Sequence, residues 1–340
     1  MDRIAVPPAS PSGACYRQNS TLEHWSGHYH EWDGTTNRRL GVSAEEVSVA
    51  GRDIRLSNLD KVLYPATGFT KAELIDYYVA VAPALLPRLA GRPVTLRRYP
   101  NGVAAQGFFA KNTAHHPDWV ATVRLPTPGS VRGNTHADYL LVDDLPTLVW
   151  AANLAGIELH VPQWTVEADG TKRPPDLLVF DLDPGPGTDI THCCRVAELI
   201  RAELAADDLA GWPKTSGAKG LQLYVPIAVD DPQRPMAYAR ELAGRLARAH
   251  PELIVATIAR RARHDRVLID WSQNDPHKTT IAAYSLRATE KPSASTPVSW
   301  AEIERCRRAE QLRFTVDATR ERLAGGDPLA DLAAERRPLP

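Results

Sequence analysis

The sequence predicts a mixed α/β (α+β) fold whose second half gathers acids at the ends of strands. Three observations predict it. The run DLLVFDLD (176–183) is continuously apolar and closes on two aspartates, as a central strand does when it delivers carboxylates at its C-terminal end. A separate apolar run, RVLIDW, also closes on an acid, Asp270. Between them helical and strand patterns alternate, so the second half reads β-α-β-β-α-β.

The elements follow in order. VSVAGRDIRL reads as a strand pair around a turn at Ala50–Gly51. TKAELIDYYVAVAPALL carries apolar residues at helical spacing from Thr70 to Leu86, with Thr70 and Glu73 forming a capping box and Pro87 marking the end. VTLRRY reads as a strand with Val94, Leu96 and Arg98 on one face. YLLVDD and LPTLVWAANLAG read as strand then helix, and IELHV as another short strand. Residues 189–206 form an amphipathic helix with Asp189 near its start. WPKTS and LQLYVPI are strands flanking a turn at Gly217–Gly220, and 235–249 is a second long helix ending before Pro251. Beyond Trp300 the chain reads as mostly helical and charged. Three segments result: an N-terminal extension (1–45), a catalytic body (46–305) and a helical C-terminal tail (306–340). The extension is rich in Pro, Ser, Gly, His and Trp. There His24, His28 and His30 stand beside Glu31 and Asp33, which are metal-ligand types, although an extension packing its aromatics on the body is the reading expected here.

Bulk composition excludes several classes. The 340 residues are 43% hydrophobic, enough for a sizeable core. The net charge of −1 comes from 40 basic and 41 acidic residues, so a nucleic-acid site must be a local stripe rather than a polycation. No apolar run approaches the roughly 20 residues of a membrane span, and no signal-peptide core opens the chain, so a cytoplasmic, nucleoid-associated protein is expected. The four cysteines include the adjacent pair Cys193–Cys194 and no CxxC, which points to reduced, buried thiols.

Asp181 and Asp183 are two apart on a strand and so share a face. Carboxylates that close repel unless a cation lies between them. With Asp270 they make the ligand set of two-metal phosphoryl transfer. KTSGAKGLQLYVPI sets Ser216, Lys219 and Gly220 in a turn where backbone can approach a phosphate closely. It is not a P-loop, because GxxxxGK[ST] is absent. Arg260, Arg261, Arg263 and Arg266 crowd the approach to the Asp270 strand, Arg97 and Arg98 follow Thr95–Leu96, and Arg287 follows YSL; they suit a triphosphate and backbone clamp, with solvated surface charge as the other reading for many of them. Phe108 and Phe109 lie in a Gly- and Ala-rich loop, either as core residues or with one exposed for base stacking.

FDLDPG, TSGAKGLQLYVP and LIDWSQN, in this order and spacing, resemble the three motifs of the primase-polymerase domain of bacterial ligase D. The similarity extends through LSNLDKVLYP, TKAELIDYY, LLPRLAGRPVTLRRYP, GFFAKN, PDWV, AAYSLRA and STPVSWAEI, covering roughly residues 48–305. It implies an archaeo-eukaryotic primase fold: an N-terminal α/β module and an RRM-like mixed sheet carrying the catalytic acids. It implies a DNA-repair nucleotidyltransferase that adds ribo- or deoxyribonucleotides to a 3′ end at a gap, break or overhang. No ligase or nuclease domain is expected within 340 residues, so the resemblance is to the stand-alone enzymes associated with ligase C. By resemblance, Asp181, Asp183 and Asp270 are the catalytic ligands of two Mn²⁺ or Mg²⁺ ions. Ser216, Lys219, Gly220, Gln222, His160, Arg97, Arg263, Gln273 and Arg287 bind the incoming NTP or dNTP. Asn58, Lys61 and Lys71 grip a DNA 5′-phosphate, and Phe108 and Phe109 stack on the template. The implied partners are Ku and a separate ATP-dependent DNA ligase, and the implied state is a monomer.

Two positions depart from the family pattern. Gln222 stands where the family has His, and Ala283 where it has Pro. Two other classes compete. A non-catalytic DNA-end-binding protein would keep the fold, and Gln222 is the feature that favours it. A haloacid-dehalogenase-like phosphatase shares an acid pair but follows it with Gly-Thr, whereas Pro184 follows here.

Overall fold

Alternating apolar residues and tight turns build the strands, and capped amphipathic segments build the helices that cover them. The computed structural model describes residues 44–113, 115–127 and 135–340, all within one compact unit. The histidine-rich segment and Cys15 lie outside the described residues.

The chain opens with hairpin β1 (Ala44–Val49) and β2 (Arg52–Ser57), whose turn holds Ala50 at φ 49° and Gly51 at φ 80°. Strands β3 (Val62–Tyr64) and β4 (Phe69–Thr70) pair next and lead into α1 (Lys71–Leu89). Thr70 and Glu73 form the capping box. The helix runs through Pro87, where the sequence predicts its end. Pro83 and Pro87 are both exposed, so their rings lie on the solvent side of the helix, while Leu85 and Leu89 stay buried.

Then come β5 (Pro93–Arg98), β6 (Phe108–Ala110), β7 (Thr122–Pro126), β8 (His136–Leu141), α2 (Leu145–Asn153) and β9 (Gly156–Val161). Hairpin β10 (Trp164–Val166) and β11 (Lys172–Pro175) leads to β12 (Leu177–Pro184), α3 (Ile190–Ala206), β13 (Trp212–Thr215), β14 (Leu221–Ala228) and α4 (Arg234–Ala249). The chain finishes with β15 (Ile254–Val255), β16 (Val267–Asp270), β17 (Thr280–Ile281), β18 (Leu286–Arg287), β19 (Ser293–Ala294), α5 (Trp300–Arg305), α6 (Val316–Ala324) and β20 (Arg337–Pro338).

Two six-stranded sheets organise these elements. The first runs β17-β9-β5-β8-β7, with β6 on β5. The second runs β13-β14-β12-β16-β15, with β20 on β14. In the second, Leu178, Phe180 and Leu182 of β12 share a core with Cys193, Val196 and Ile200 of α3 and Leu242 of α4. Strand alternation therefore turns Asp181 and Asp183 to the face opposite the helices. Cys193, Cys194 and Cys306 are buried free thiols, and no helix among the described residues is long and apolar enough to cross a membrane.

Two expectations change. Phe108 and Phe109 are not in a loop: β6 pairs with β5, Phe108 opposite Arg98 and Phe109 opposite Arg97. The segment after residue 305 is less helical than its charge pattern predicts. Gly325 caps α6 and Pro328 follows it. Leu312 and Phe314 join the core of the second sheet, and the Tyr284 hydroxyl donates to Asp327 at 2.6 Å.

Candidate active site

Strand β12 lies between β14 and β16, and their register sets the centre. Asp181 stands opposite Gln222 on one side and Asp270 on the other. Asp183 follows on the same face. Burial, then the charge of Asp183 and more weakly that of Asp270, pushes the Asp181 carboxyl above its usual range. Burial and Asp270 raise Asp183 likewise, with Arg263 and Arg287 pulling the other way. Asp270 caps the 3₁₀ turn Trp271–Asn274: its Oδ1 accepts from the Ser272 amide (3.1 Å) and hydroxyl (2.5 Å), and its Oδ2 accepts from Gln273 Nε2 at 3.0 Å. No three acidic, His or Cys side chains among the described residues close into an ion cage. The donor chemistry still fits hard divalent cations. Oxygen ligands from three carboxylates share one sheet face, and burial together with a neighbouring carboxylate's charge raises two of them.

Gln222 is 3% exposed and faces inward. Its Nε2 donates to Asp181 Oδ1 at 3.1 Å, and its Oε1 accepts from Lys214 Nζ at 2.6 Å. Lys214 is fully buried, and burial pulls its ammonium down to about 7, against the opposing charge of Asp181.

The turn after β13 is shaped by Ser216, whose hydroxyl oxygen accepts from the amides of Ala218 (3.3 Å) and Gly220 (3.0 Å). Gly220 lies against β12 between the acids, and a Cβ there would sit 2.3 Å from the Leu182 carbonyl oxygen. Gly217, at φ +72°, has Arg287 Cγ 2.6 Å from where a Cβ would be. Lys219 is exposed at the tip.

A second cluster sits on β5 and β9. Glu158 is 1% exposed, and an imidazole and two guanidiniums surround it: His160 at 2.8 Å, Arg97 at 3.5 Å and Arg287 at 3.7 Å. The Ala288 amide also donates to it, at 3.0 Å. Burial alone would raise Glu158; the His160 hydrogen bond, Arg287 and the Ala288 amide outweigh it and bring it to about 2. Burial lowers His160, with Glu158 opposing. The Arg97 guanidinium lies 5.3 Å from the centroids of both Tyr99 and Phe109. Both phenylalanines are exposed, Phe108 by 46% and Phe109 by 58%. Phe108 packs under Arg98, and Phe109 meets His160 edge-on at 5.5 Å.

A lysine cradle lies where β2 turns toward α1. Asn58, at φ 53°, starts a turn closed by the Lys61 amide donating to its carbonyl at 3.1 Å, and the Lys71 amide donates to the Lys61 carbonyl at 2.9 Å. Lys61 is exposed and lies 3.5 Å from Asn101 Oδ1. Lys71 is 5% exposed and donates to the Ser57 carbonyl. Burial, then the charges of Lys61 and Arg98, lowers Lys71 to about 8.

The sequence-predicted residues thus fall into four groups: the carboxylates with Gln222 and Gln273, the turn of Ser216, Lys219 and Gly220, the Arg97, His160 and Arg287 set around Glu158 with Phe108 and Phe109 beside it, and the cradle of Asn58, Lys61 and Lys71. Arg263 is nearer the first group, its guanidinium donating to the Ile258 carbonyl at 2.8 Å. Sequence reasoning missed Glu158 and Lys214 as organisers. An acid inside the apolar strand IELHV was the available signal for Glu158. Lys214 stands beside the Ser216 turn with nothing in its neighbours to mark it as buried.

Comparison with known proteins is consistent with this geometry. The family model described as "LigD, primase-polymerase domain" matches residues 70–329. The multifunctional non-homologous end joining protein LigD of Mycolicibacterium smegmatis is 44% identical over 286 residues, covering 83% of this chain and 36% of the relative. The bifunctional LigD of Bacillus subtilis is 30% identical over 273 residues, covering 79% and 42%. The chain therefore spans well under half the length of these relatives. The solved polymerase domain from Mycobacterium tuberculosis ligase D, in complex with DNA, superposes with a TM-score of 0.76 at 38% identity, covering 83% of this chain and 99% of that one.

Proposed function

Because the chain belongs to the LigD primase-polymerase domain family, and so is a nucleotidyltransferase of that type, we propose that it extends DNA 3′ ends at short gaps, breaks or overhangs. The observation that carries this reading is the register of β12. It sets Asp181 opposite Asp270 with Asp183 on the same face, at the end of a central strand.

Asp181, Asp183 and Asp270 would hold two divalent ions, Mn²⁺ or Mg²⁺, with Asp270 exchanging Ser272 and Gln273 for that role. Such ions, when bound, activate an attacking hydroxyl and neutralise a triphosphate. The chain's own residues bind and orient. The exposed ammonium of Lys219 and the backbone shaped by Ser216 and Gly220 suit the phosphates of an NTP or dNTP. Glu158 holds Arg97, His160 and Arg287 in fixed positions beside that nucleotide. Gln273, released by Asp270, would be free to donate to the nucleotide, and Arg263 offsets the charge of Asp183. Asn58, Lys61 and Lys71 suit a terminal 5′-phosphate, whose charge exceeds that of an internal one. Phe108 and Phe109, exposed on neighbouring positions of a short strand, suit template bases. Residues 46–305 form the catalytic body, with the following segment packed into its core. The relatives' names place them in non-homologous end joining, and we assign this chain to DNA repair of that kind, alongside Ku and a separate ligase, as a cytoplasmic, nucleoid-associated monomer.

The test is gap filling on 5′-phosphorylated DNA with ribo- and deoxyribonucleotides. Wild type should incorporate, and Asp181→Ala should not while still binding the DNA. Incorporation by Asp181→Ala at the wild-type rate would remove the reading.

A further inference from the structure

Lys214 lies on β13, separated from Asp181 only by the side chain of Gln222 on β14. It is fully buried, and no carboxylate among the described residues forms an ion pair with it. Its ammonium donates to Gln222 Oε1 and to Ser295 Oγ, each at 2.6 Å, and lies 5.0 Å from the Tyr224 ring centroid. The Ser295 hydroxyl donates in turn to the Thr215 carbonyl at 2.8 Å, which leaves its lone pairs for the lysine.

The consequence is directional. A lysine ammonium can only donate, and an ionised carboxylate can only accept. A primary amide placed between them has one arrangement that satisfies both: oxygen toward the lysine, nitrogen toward the aspartate. Gln222 has this arrangement. A flipped amide would set two donors face to face at Lys214 and two acceptors face to face at Asp181. Gln222 is therefore committed to the carboxylate centre and is too buried to serve as a free contact to a triphosphate.

We propose that Lys214 is a positioning residue of the divalent-ion centre: it locks the Gln222 amide so that Asp181 is held by one oxygen and presents the other to a cation. The proposal rests on the ion-binding reading of the three aspartates. Groups that orient metal ligands through a hydrogen bond commonly change metal affinity or activity by about 10–100-fold when removed.

The experiment measures Mn²⁺ binding by calorimetry on the whole chain, without nucleotide or DNA, for wild type, Lys214→Met, Gln222→Leu and the double variant. Gap-filling kinetics follow at saturating Mn²⁺. Lys214→Met is expected to raise the Mn²⁺ Kd about tenfold or more, with the KM for nucleotide and the affinity for 5′-phosphorylated DNA unchanged. Gln222→Leu should match it, and the double variant should be no worse than either single one. A lysine that only fills space would shift the melting temperature and leave the Mn²⁺ Kd at its wild-type value, which overturns the proposal. So would additive effects in the double variant. If Lys214→Met does not fold, Gln222→Leu and Ser295→Ala decide: wild-type Mn²⁺ affinity in Gln222→Leu overturns the proposal, and weakened affinity in both supports it. Asp181→Ala separates the two levels. If it binds Mn²⁺ like wild type, the ion site itself is misassigned; if it loses Mn²⁺ while Lys214→Met does not, only the role of the lysine fails.

Discussion

The two sheets handle charge in opposite ways. On the second sheet three aspartates share a face, and the buried ammonium of Lys214 is linked to Asp181 through the Gln222 amide rather than by an ion pair. On the first sheet one carboxylate, Glu158, is enclosed by two guanidiniums, the His160 imidazole and an amide donor. The first cluster carries unneutralised negative charge and can lower its energy by recruiting cations. The second is overneutralised and offers its surplus positive charge to anions. On the function proposed above, a nucleoside triphosphate with divalent ions would have both needs, and each sheet would meet one of them.

The comparison can be broken from either side. The largest effect is expected from the aspartates. Asp183→Ala should lower incorporation by about 10³-fold or more, since an ion ligand contributes several kcal/mol to the transition state. A gap-filling time course measures it, with DNA binding as the control. Glu158→Gln is the converse test. It leaves Arg97, His160 and Arg287 without their shared anion, so kcat/KM for nucleotide should fall by about 100-fold through misplacement. Stability should fall by about 1–3 kcal/mol, read from the denaturant midpoint.

Much of this contrast was legible in the sequence, and the reasons are physical. A central strand buried on both faces must be apolar, so the acids ending the LLVF and VLI runs stand out at Asp181, Asp183 and Asp270. Period-2 alternation then placed the first two on one face. The capping box at Thr70 and Glu73 and the Asp189 cap were equally local signals. The roles of Glu158 and Lys214 were not legible, because each depends on residues brought in from distant strands: Arg287 for the one, Ser295 for the other. The end of α1 was misjudged because a proline whose ring lies on the exposed side can be carried inside a helix that packing of its other face holds together. The pairing of Phe108 and Phe109 with β5 was missed because a three-residue strand leaves almost no periodicity to read.

Smaller effects sharpen the picture of the first sheet. Phe109→Ala should weaken affinity for gapped DNA by about 1–3 kcal/mol, roughly 5- to 150-fold, in a titration with a template overhang. The preference for a 5′-phosphate over a 5′-hydroxyl should depend on pH. Lys71 titrates near 8 rather than at its ordinary 10.5, so it is cationic at pH 7 and loses its proton as pH rises past 8. A terminal phosphate stays doubly charged over this range. The preference should therefore shrink by up to about tenfold between pH 7 and 9, and Lys71→Met should abolish that pH dependence.

The central measurement is anomalous diffraction from crystals soaked in Mn²⁺ with a non-hydrolysable nucleotide. The account predicts manganese peaks bounded by Asp181, Asp183 and Asp270, with Asp270 rotated away from Ser272 and Gln273. Manganese elsewhere, with Asp270 still capping its 3₁₀ turn, would contradict it.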